Sequence, residues 1–416
     1  MKKKFLLFHL IFSFFFLLAD LALSDFEASL NGSYQFYEAL RTGTNQYNNI
    51  PTNYLSRNNK NSKFISFAEN NLLVTWNDHS EYLKKYGANL NLTTRTSNND
   101  KFIIDLNRNY LFLDTSLGTL HLGTDYNVST IMSYSAYDVS AGTGGASNGD
   151  FGYYVFNQFW DNKITDQYYL QKITHLYSLR YKARNPYNIS YYTPKMNGFQ
   201  LGFSFAPDGA NYLKTDKDDF VDILSKVKNI SSIAVTYNKD ILDYSFNFSG
   251  SYDKATINSK SDEYLNAQNA SLGKIPLSNL SSYTIGTLLK YKQVSFALSK
   301  GWSKNFLQQK YISLDTPLNN YKSKFITIGL SYSWEKFLAS ITYLRDWQEC
   351  GNIPTNKIYN YFAITNRTKV VSFALDYSLV YGMKIFAEYN RFNLRSQDIG
   401  PDNSGSIFIL GSKISF

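Results

Sequence analysis

The chain reads as all-β, a transmembrane antiparallel up-and-down barrel of about sixteen strands, on three observations. Segments of roughly ten residues alternate apolar and polar side chains, the period of a strand with two unlike faces. The breaks between those segments alternate as well, one short and the next long. Aromatic residues make up 17% of the chain, with 35 Tyr and 31 Phe, although the mean hydropathy is −0.33. That balance excludes a bundle of apolar helices, each of which would need a run of about 18 apolar residues. Tyr joins an apolar ring to a polar tip and suits strands at a membrane–water boundary.

The first 24 residues stand apart. Lys2, Lys3 and Lys4 form a positive start, Phe5 to Leu18 a short apolar core, and Ala22-Leu23-Ser24 a small-residue cleavage site. This is the pattern of a secretory signal peptide; an uncleaved anchor helix is the alternative, for which the run is short. Its removal lowers the net charge from +9 to about +7, too mild and too evenly spread to suggest nucleic acid. Residues 25–416 are expected to form one barrel, since barrels of this size fold as single units.

Candidate strands follow in order. The first five lie at 26–38, 62–76, 82–96, 101–115 and 119–126, and the next five at 186–194, 198–206, 230–238, 241–253 and 281–290. The last six lie at 292–302, 321–333, 337–347, 369–379, 382–393 and 405–416. The alternation is plainest where Leu242, Tyr244, Phe246 and Phe248 interleave with Asp243, Ser245, Asn247 and Ser249. It is equally plain where Val371, Phe373, Leu375, Tyr377 and Leu379 interleave with Ser372, Ala374, Asp376 and Ser378. In the final segment Phe408, Leu410, Ile414 and Phe416 share one parity while Gly411, Lys413 and Ser415 take the other, as befits a strand between lipid and water.

Short breaks fall at Ser116-Leu117-Gly118, Lys195-Met196-Asn197, Lys239-Asp240, Trp334-Glu335-Lys336 and Val380-Tyr381-Gly382. Long polar breaks fall at 39–61, 127–185, 207–229, 254–280, 303–320, 348–368 and 394–404; one break on that side, Ser97 to Asp100, is only four residues. Long extracellular loops at one end and tight periplasmic turns at the other mark an outer-membrane barrel. Hydrocarbon offers no water to satisfy a strand edge, so the sheet must close. A circle of sixteen strands is too wide for side chains to fill and is expected to hold water.

Four segments then carry a family resemblance. They are Gly118 to Gly123, Asn188 to Gly202, the hairpin from Phe373-Ala374-Leu375-Asp376-Tyr377 through Phe386-Ala387-Glu388-Tyr389, and the closing Leu410 to Phe416. They resemble the general porins of Gram-negative bacteria, in particular the alphaproteobacterial branch, and the likeness extends over most of the chain after the leader. The resemblance implies a sixteen-stranded homotrimeric barrel whose third loop, here residues 127–185, folds into the lumen as a constriction. It also implies that Phe416 is the signal read by the outer-membrane assembly machinery. Two arginines that family members commonly place in the eyelet have no counterpart on this reading. Thr124 stands where the first would be, and Asn107 takes the lumen position of the second, with Arg108 on the other parity.

Charge focused at a narrow point governs selectivity in a pore. Lumen parity on the neighbouring strands is expected for Arg95, Asp105, Asn107, His121 and Asp125, while the long loop offers Asp138, Asp150 and Asp161 among Gly142, Gly144, Gly145 and Gly149. Each is read either as part of the eyelet or as a solvated wall residue. Phe156, Trp160 and Ile164 fall four apart, so 156–177 reads as a short helix or an irregular aromatic loop. Lys163, Lys172, Arg180, Lys182 and Arg184 could attract anions or lipopolysaccharide phosphates, or be ordinary surface. Recurring aromatics at presumed strand ends, Trp76, Trp302, Trp334, Trp347, Tyr332, Tyr377 and Tyr389, point to interfacial girdles.

Catalytic readings find no support. Gly145-Ala146-Ser147-Asn148-Gly149 matches a nucleophile-elbow string but lacks the strand before and the helix after. His9, His79, His121 and His175 have no metal-ligand spacing, no phosphate loop appears, and the single Cys350 forbids an internal disulfide. The expectation is a non-enzymatic porin without cofactor or metal, in the outer membrane of a Gram-negative bacterium. Its partners would be further copies of itself, membrane lipid and lipopolysaccharide, and the assembly machinery, with no nucleic acid. Passive diffusion of ions and small hydrophilic solutes is the first reading. A substrate-selective porin and a surface adhesion or structural barrel are the alternatives. The positive net charge and the two missing arginines pull ion preference in opposite directions, with anions slightly favoured.

Overall fold

A computed structural model describes residues 27–46, 64–78, 84–97, 103–148, 187–208, 227–257, 280–304, 322–349, 365–380, 382–396 and 402–416. The proposed leader, Asp150, Asp161, the segment 156–177, the basic residues from Lys163 to Arg184, and Cys350 lie outside the described residues. Sixteen strands run through it. They are β1 (Glu27–Gln46), β2 (Phe64–Asp78), β3 (Lys85–Ser97), β4 (Ile103–Thr115), β5 (Gly118–Thr124), β6 (Tyr187–Tyr192), β7 (Phe199–Asp208) and β8 (Val227–Ile241). The second half is β9 (Tyr244–Ile257), β10 (Leu280–Tyr291), β11 (Val294–Lys304), β12 (Lys322–Trp334), β13 (Phe337–Glu349), β14 (Thr365–Val380), β15 (Met383–Ser396) and β16 (Asp402–Ser415).

Each strand pairs antiparallel with its sequence neighbours, and β16 returns to β1, so the barrel is closed. Closure runs to the last residue. Phe416 donates its N–H to the carbonyl of Gly32 and accepts the Gly32 N–H in return, at 3.0 and 2.8 Å. The ring of Phe416 lies over the bare face of Gly32 and is 64% exposed on the outside. No described helix is long and apolar enough to cross a membrane; the crossing is made by strands.

The short turns are tighter than the pattern alone specified. Between β6 and β7 the turn is Asn197-Gly198, both with positive φ (49° and 89°), closing the Met196–Phe199 pair. Asn and Gly adopt that mirror-image turn most cheaply, and its twist matches that of the strands. The β8–β9 turn falls at Leu242-Asp243 instead of Lys239-Asp240. The alternation downstream is kept: Tyr244, Phe246 and Phe248 face out and Ser249 faces in.

The two faces divide as a membrane barrel requires. Outward positions carry Ile189, Phe203, Phe205, Ile233, Leu298, Ile328, Leu330, Ile341, Phe373 and Leu375, all exposed. Inward positions carry Ser190, Ser204, Ser232, Thr236, Ser299, Thr327, Ser331, Thr342 and Ser372. Two aromatic belts bound the apolar band. Toward the short turns lie Tyr244–Tyr291, Tyr332–Trp334–Phe337 and Phe337–Tyr377, with centroids 4.4 to 5.6 Å apart; toward the long loops lie Tyr252–Tyr283 and Tyr283–Trp302 at 4.7 and 5.6 Å. On β12, ten residues separate Lys324 from Trp334. That is about 33 Å of strand, or about 25 Å across the membrane at a tilt of about 40°.

The inner face is not uniformly wet. Tyr37, Phe325, Leu344, Val370, Phe386, Phe392, Ile407 and Ile409 point inward from β1 and β12 to β16 and form a buried apolar cluster with Ala146. Ile407 and Ile409 have parity opposite to the lipid-facing Phe408 and Leu410, so β16 is apolar on both faces there. Part of the inner wall is therefore an apolar seat for the segment that follows β5.

Candidate pore constriction

Residues 128–146, after β5, lie inside the barrel. A one-turn helix Val128–Ile131, a 3-10 turn Ala136–Val139 and a second one-turn helix Gly145–Asn148 run along the inner wall from β7 toward β15. A backbone that leaves the sheet within a barrel must find other hydrogen-bond partners. Here the inward hydroxyls and carboxylates supply them. The N–H groups of Val128, Tyr134 and Ala136 donate to Ser204 Oγ, Ser249 Oγ and Thr327 Oγ1 at 3.2, 3.0 and 3.3 Å. Those of Ala141, Gly142, Thr143 and Ala146 donate to Ser340 Oγ, Asp376 Oδ1, Glu388 Oε2 and Thr342 Oγ1, at 2.8, 2.7, 2.6 and 2.7 Å.

Close approach needs bare wall. At Gly329 a Cβ would meet Val139 and Ala136, and at Gly286 it would meet the carbonyl of Tyr134. Glu388 is 1% exposed and saturated: Thr143 gives it both N–H and Oγ1–H, Asn390 an amide N–H at 2.8 Å and Ser372 a hydroxyl at 3.4 Å. Asp376 takes Gly142 on one oxygen and the Lys384 ammonium on the other. These tethers fix the segment against the β12–β15 side of the bore.

The opposite wall, β2 to β5, is hydrophilic among its described side chains. Thr75 donates to Asn89, Asn89 to the Tyr110 hydroxyl, and Thr93 to Asn71 and Asn91. A charge cluster sits on it where β5 ends. Asp125, with no exposed surface, accepts Arg108 Nε at 2.7 Å, His121 Nδ1–H at 3.0 Å and the Tyr126 N–H at 2.7 Å. Burial would push its carboxyl up, but the His121 hydrogen bond and the Arg108 guanidinium outweigh that and hold it below the ordinary carboxylate range. His121 stacks on Tyr110 at 4.4 Å and leans on Tyr192 at 5.1 Å; the Arg108 guanidinium lies 5.4 Å from the Tyr110 ring and 5.3 Å from that of Tyr126.

Arg108 is the residue the alternating pattern misassigned. Leu92 pairs with Leu106 but Asn91 pairs with Arg108, so Asn107 is a bulged residue and parity flips there. Asp105 before the bulge and Arg108 after it both take lumen register, so β4 does bring an arginine to the inner face, at 108 and not at 107. Thr124 is buried and bonded to the backbone of Asn109 at 3.1 and 3.3 Å, so it offers nothing to the bore.

The remaining expected residues sort as follows. His121 and Asp125 come together, and Asp138 is exposed on the segment while capping its own turn through the Ser135 N–H at 2.6 Å. Arg95 and Asp105 hold lumen register opposite Glu69 and Thr93; their side chains, like that of Asn107, lie outside the described residues, as do Asp150 and Asp161. The alternating pattern gave no warning of Tyr110, Tyr126 and Tyr192. Glu388 was visible, an acid on the inward parity between Phe386 and Asn390.

The barrel as a whole is similar to known proteins. A protein of Rickettsia bellii is 22% identical over 435 residues, covering 94% of this chain and 93% of its own length. One of Rickettsia conorii is 23% identical over 370 residues, covering 78% of each. Among solved structures, the trimer form of the outer-membrane protein OmpT of Vibrio cholerae superposes with a TM-score of 0.54 at 9% identity, covering 94% of this chain and all of that one. The anion-selective porin from Comamonas acidovorans gives 0.51 at 12% identity, with the same coverage. The family model of Gram-negative porins matches residues 27–397, nearly the whole barrel, and the chain belongs to that family.

Proposed function

We propose that this porin is a passive diffusion channel whose constriction is set by residues 127–185, with the Arg108–Asp125–His121 cluster and Asp138 contributing its charge. One observation carries the reading: the hydrogen bonds described for residues 128–146 go to inward side chains from β7 round to β15, and a wall of amides and hydroxyls on β2 to β4 lies across the bore from them. A gap bounded by neutral hydrophilic groups, by the internally compensated Arg108–Asp125–His121 cluster and by charges of both signs in lumen register (Glu69, Arg95, Asp105) passes small hydrophilic solutes and ions of either sign with weak preference. No redox, nucleophilic or metal chemistry is required of it. Planar-bilayer recording of the purified chain is expected to give stepwise, ohmic conductance, with steps in threes for a trimer. Insertion without conductance refutes the channel; single steps alone refute the trimer.

The same proposal includes export through a signal peptide ending at Ser24, residence in the outer membrane beside lipopolysaccharide, and recognition of Phe416 by the assembly machinery. The outward, exposed ring at the very end of β16 suits that last role, because a partner can reach it before or after the sheet has closed.

A further inference from the structure

The outer surface of β11 to β14, at the long-loop end, carries a cluster of cations that have no carboxylate partner among the described residues. In register across the sheet, Lys300 pairs with Ile326, Ile326 with Arg345, and Arg345 directly with Lys369. Two residues further toward the loops, Lys324 pairs with Trp302 on one side and Trp347 on the other, and Trp347 pairs with Arg367. Leu344, Phe325 and Val370 are buried inside, so this parity faces out, and Lys300, Lys324, Arg367 and Lys369 are exposed on it. Like charges directly opposite across a sheet repel, and among the described residues none of these cations is paired with a carboxylate. The Arg345 guanidinium lies 4.4 Å from the Trp347 ring, and its buried Nε has no hydrogen-bond partner. An external anion would complete such an arrangement.

The level of the patch identifies the anion. It lies at the long-loop edge of the apolar band, in line with Tyr252, Tyr283 and Trp302, at the depth where lipid headgroups meet water. Below it the strands present only apolar or aromatic side chains to the lipid, Leu298, Ile328, Tyr343 and Val371 in one row. A soluble anion would gain nothing from that apolar wall, whereas a lipid would lay its chains against it and its phosphate on the cations. We infer that Lys324, Arg345, Arg367 and Lys369, with Trp302 and Trp347, form a binding site for the phosphate group of an outer-leaflet lipid. The inference rests on the membrane placement of the barrel and not on whether its bore conducts.

The test uses the full chain folded in detergent and titrated with bisphosphorylated lipid A, with the same lipid after phosphatase treatment, and with phosphatidylcholine, bound lipid being counted by native mass spectrometry. Bisphosphorylated lipid A is expected to bind at least tenfold more tightly than the other two. The quadruple variant K324Q/R345Q/R367Q/K369Q should lose that tenfold preference. The triple variant K239Q/K290Q/K336Q, which removes three cations at the opposite mouth, should keep it. If the quadruple variant does not reach the folded form on an unheated gel, the pair R345Q/K369Q serves, with a loss of at least threefold expected. Equal binding of the phosphatase-treated lipid, or an unchanged preference in the cluster variants, overturns the inference. Conductance of the same preparations is scored separately: a conducting barrel that ignores phosphate sinks this site alone, and a silent barrel that binds it sinks the channel alone.

Discussion

Arg108 and Asp125 are 2.7 Å apart, and their charges largely cancel for any ion passing the constriction. Replacing Asp125 by Asn keeps the shape and a hydrogen-bond acceptor but leaves the guanidinium uncompensated. A permeating ion kept about 6 Å away by its hydration shell then feels about 0.7 kcal/mol even at the dielectric of bulk water, close to threefold in local concentration. Because anions gain by that factor and cations lose by it, the permeability ratio is expected to move by roughly tenfold toward anions. Arg108→Gln should move it toward cations by a similar factor, and the double variant R108Q/D125N should return to the parent value. The assay is the reversal potential across a planar bilayer in a tenfold KCl gradient. Shifts of the same sign in both single variants, or no shift in either, would falsify the placement of this pair at the constriction. A double variant displaced as far as one of the singles would show that the two charges do not act on the same ion path.

Three further outcomes follow from the same geometry. Gly329→Val puts methyl groups where Val139 and Ala136 rest, so it should push the 3-10 turn into the bore and lower single-channel conductance by at least a third; an unchanged conductance refutes the docking of that turn. Glu388→Ala leaves the Thr143 N–H without its acceptor, a loss of about 1–3 kcal/mol of local docking. Hydrogen exchange at residues 141–146 is expected to quicken by roughly 5- to 100-fold while strand amides keep their protection, and equal protection in both proteins argues against the tether. Phe416→Ser removes the outward ring but keeps both backbone hydrogen bonds to Gly32, so refolding in detergent should proceed while insertion in cells fails and unassembled protein collects in the periplasm. Normal insertion would show that the ring is dispensable.

Alternation and break length were enough to place most of the strands because each residue of a membrane strand faces either lipid or the bore. Tyr244, Phe246 and Phe248 sort themselves from Ser245, Asn247 and Ser249 by transfer free energy, whatever the rest of the chain does. The β8–β9 turn could shift by three residues without altering that sorting, which is why its position was legible only approximately. His121 and Asp125 were legible as a pair on one parity, four residues apart. Arg108 was not, because a bulge adds one residue to one strand only, and nothing in Leu106-Asn107-Arg108 distinguishes the extra residue from a paired one. The apolar inner cluster was hidden for a different reason. Ile407 and Ile409 break the alternation of β16, and a strand apolar on both faces gives no sign of which face meets lipid.

The sequence by itself therefore determined the all-β membrane architecture, the number of strands and the ends that carry long and short connections, since these follow from side-chain polarity along a chain of period two. Only the tertiary structure decided which charges meet. Arg108 reaches Asp125 through a one-residue register slip, and Thr143 meets Glu388, some 245 positions further on, because the segment follows the inner wall of the closed barrel round to β15. Contacts made by ring closure and by a bulge depend on the register of whole strands, and register is a property of the assembled sheet and not of any local stretch of residues.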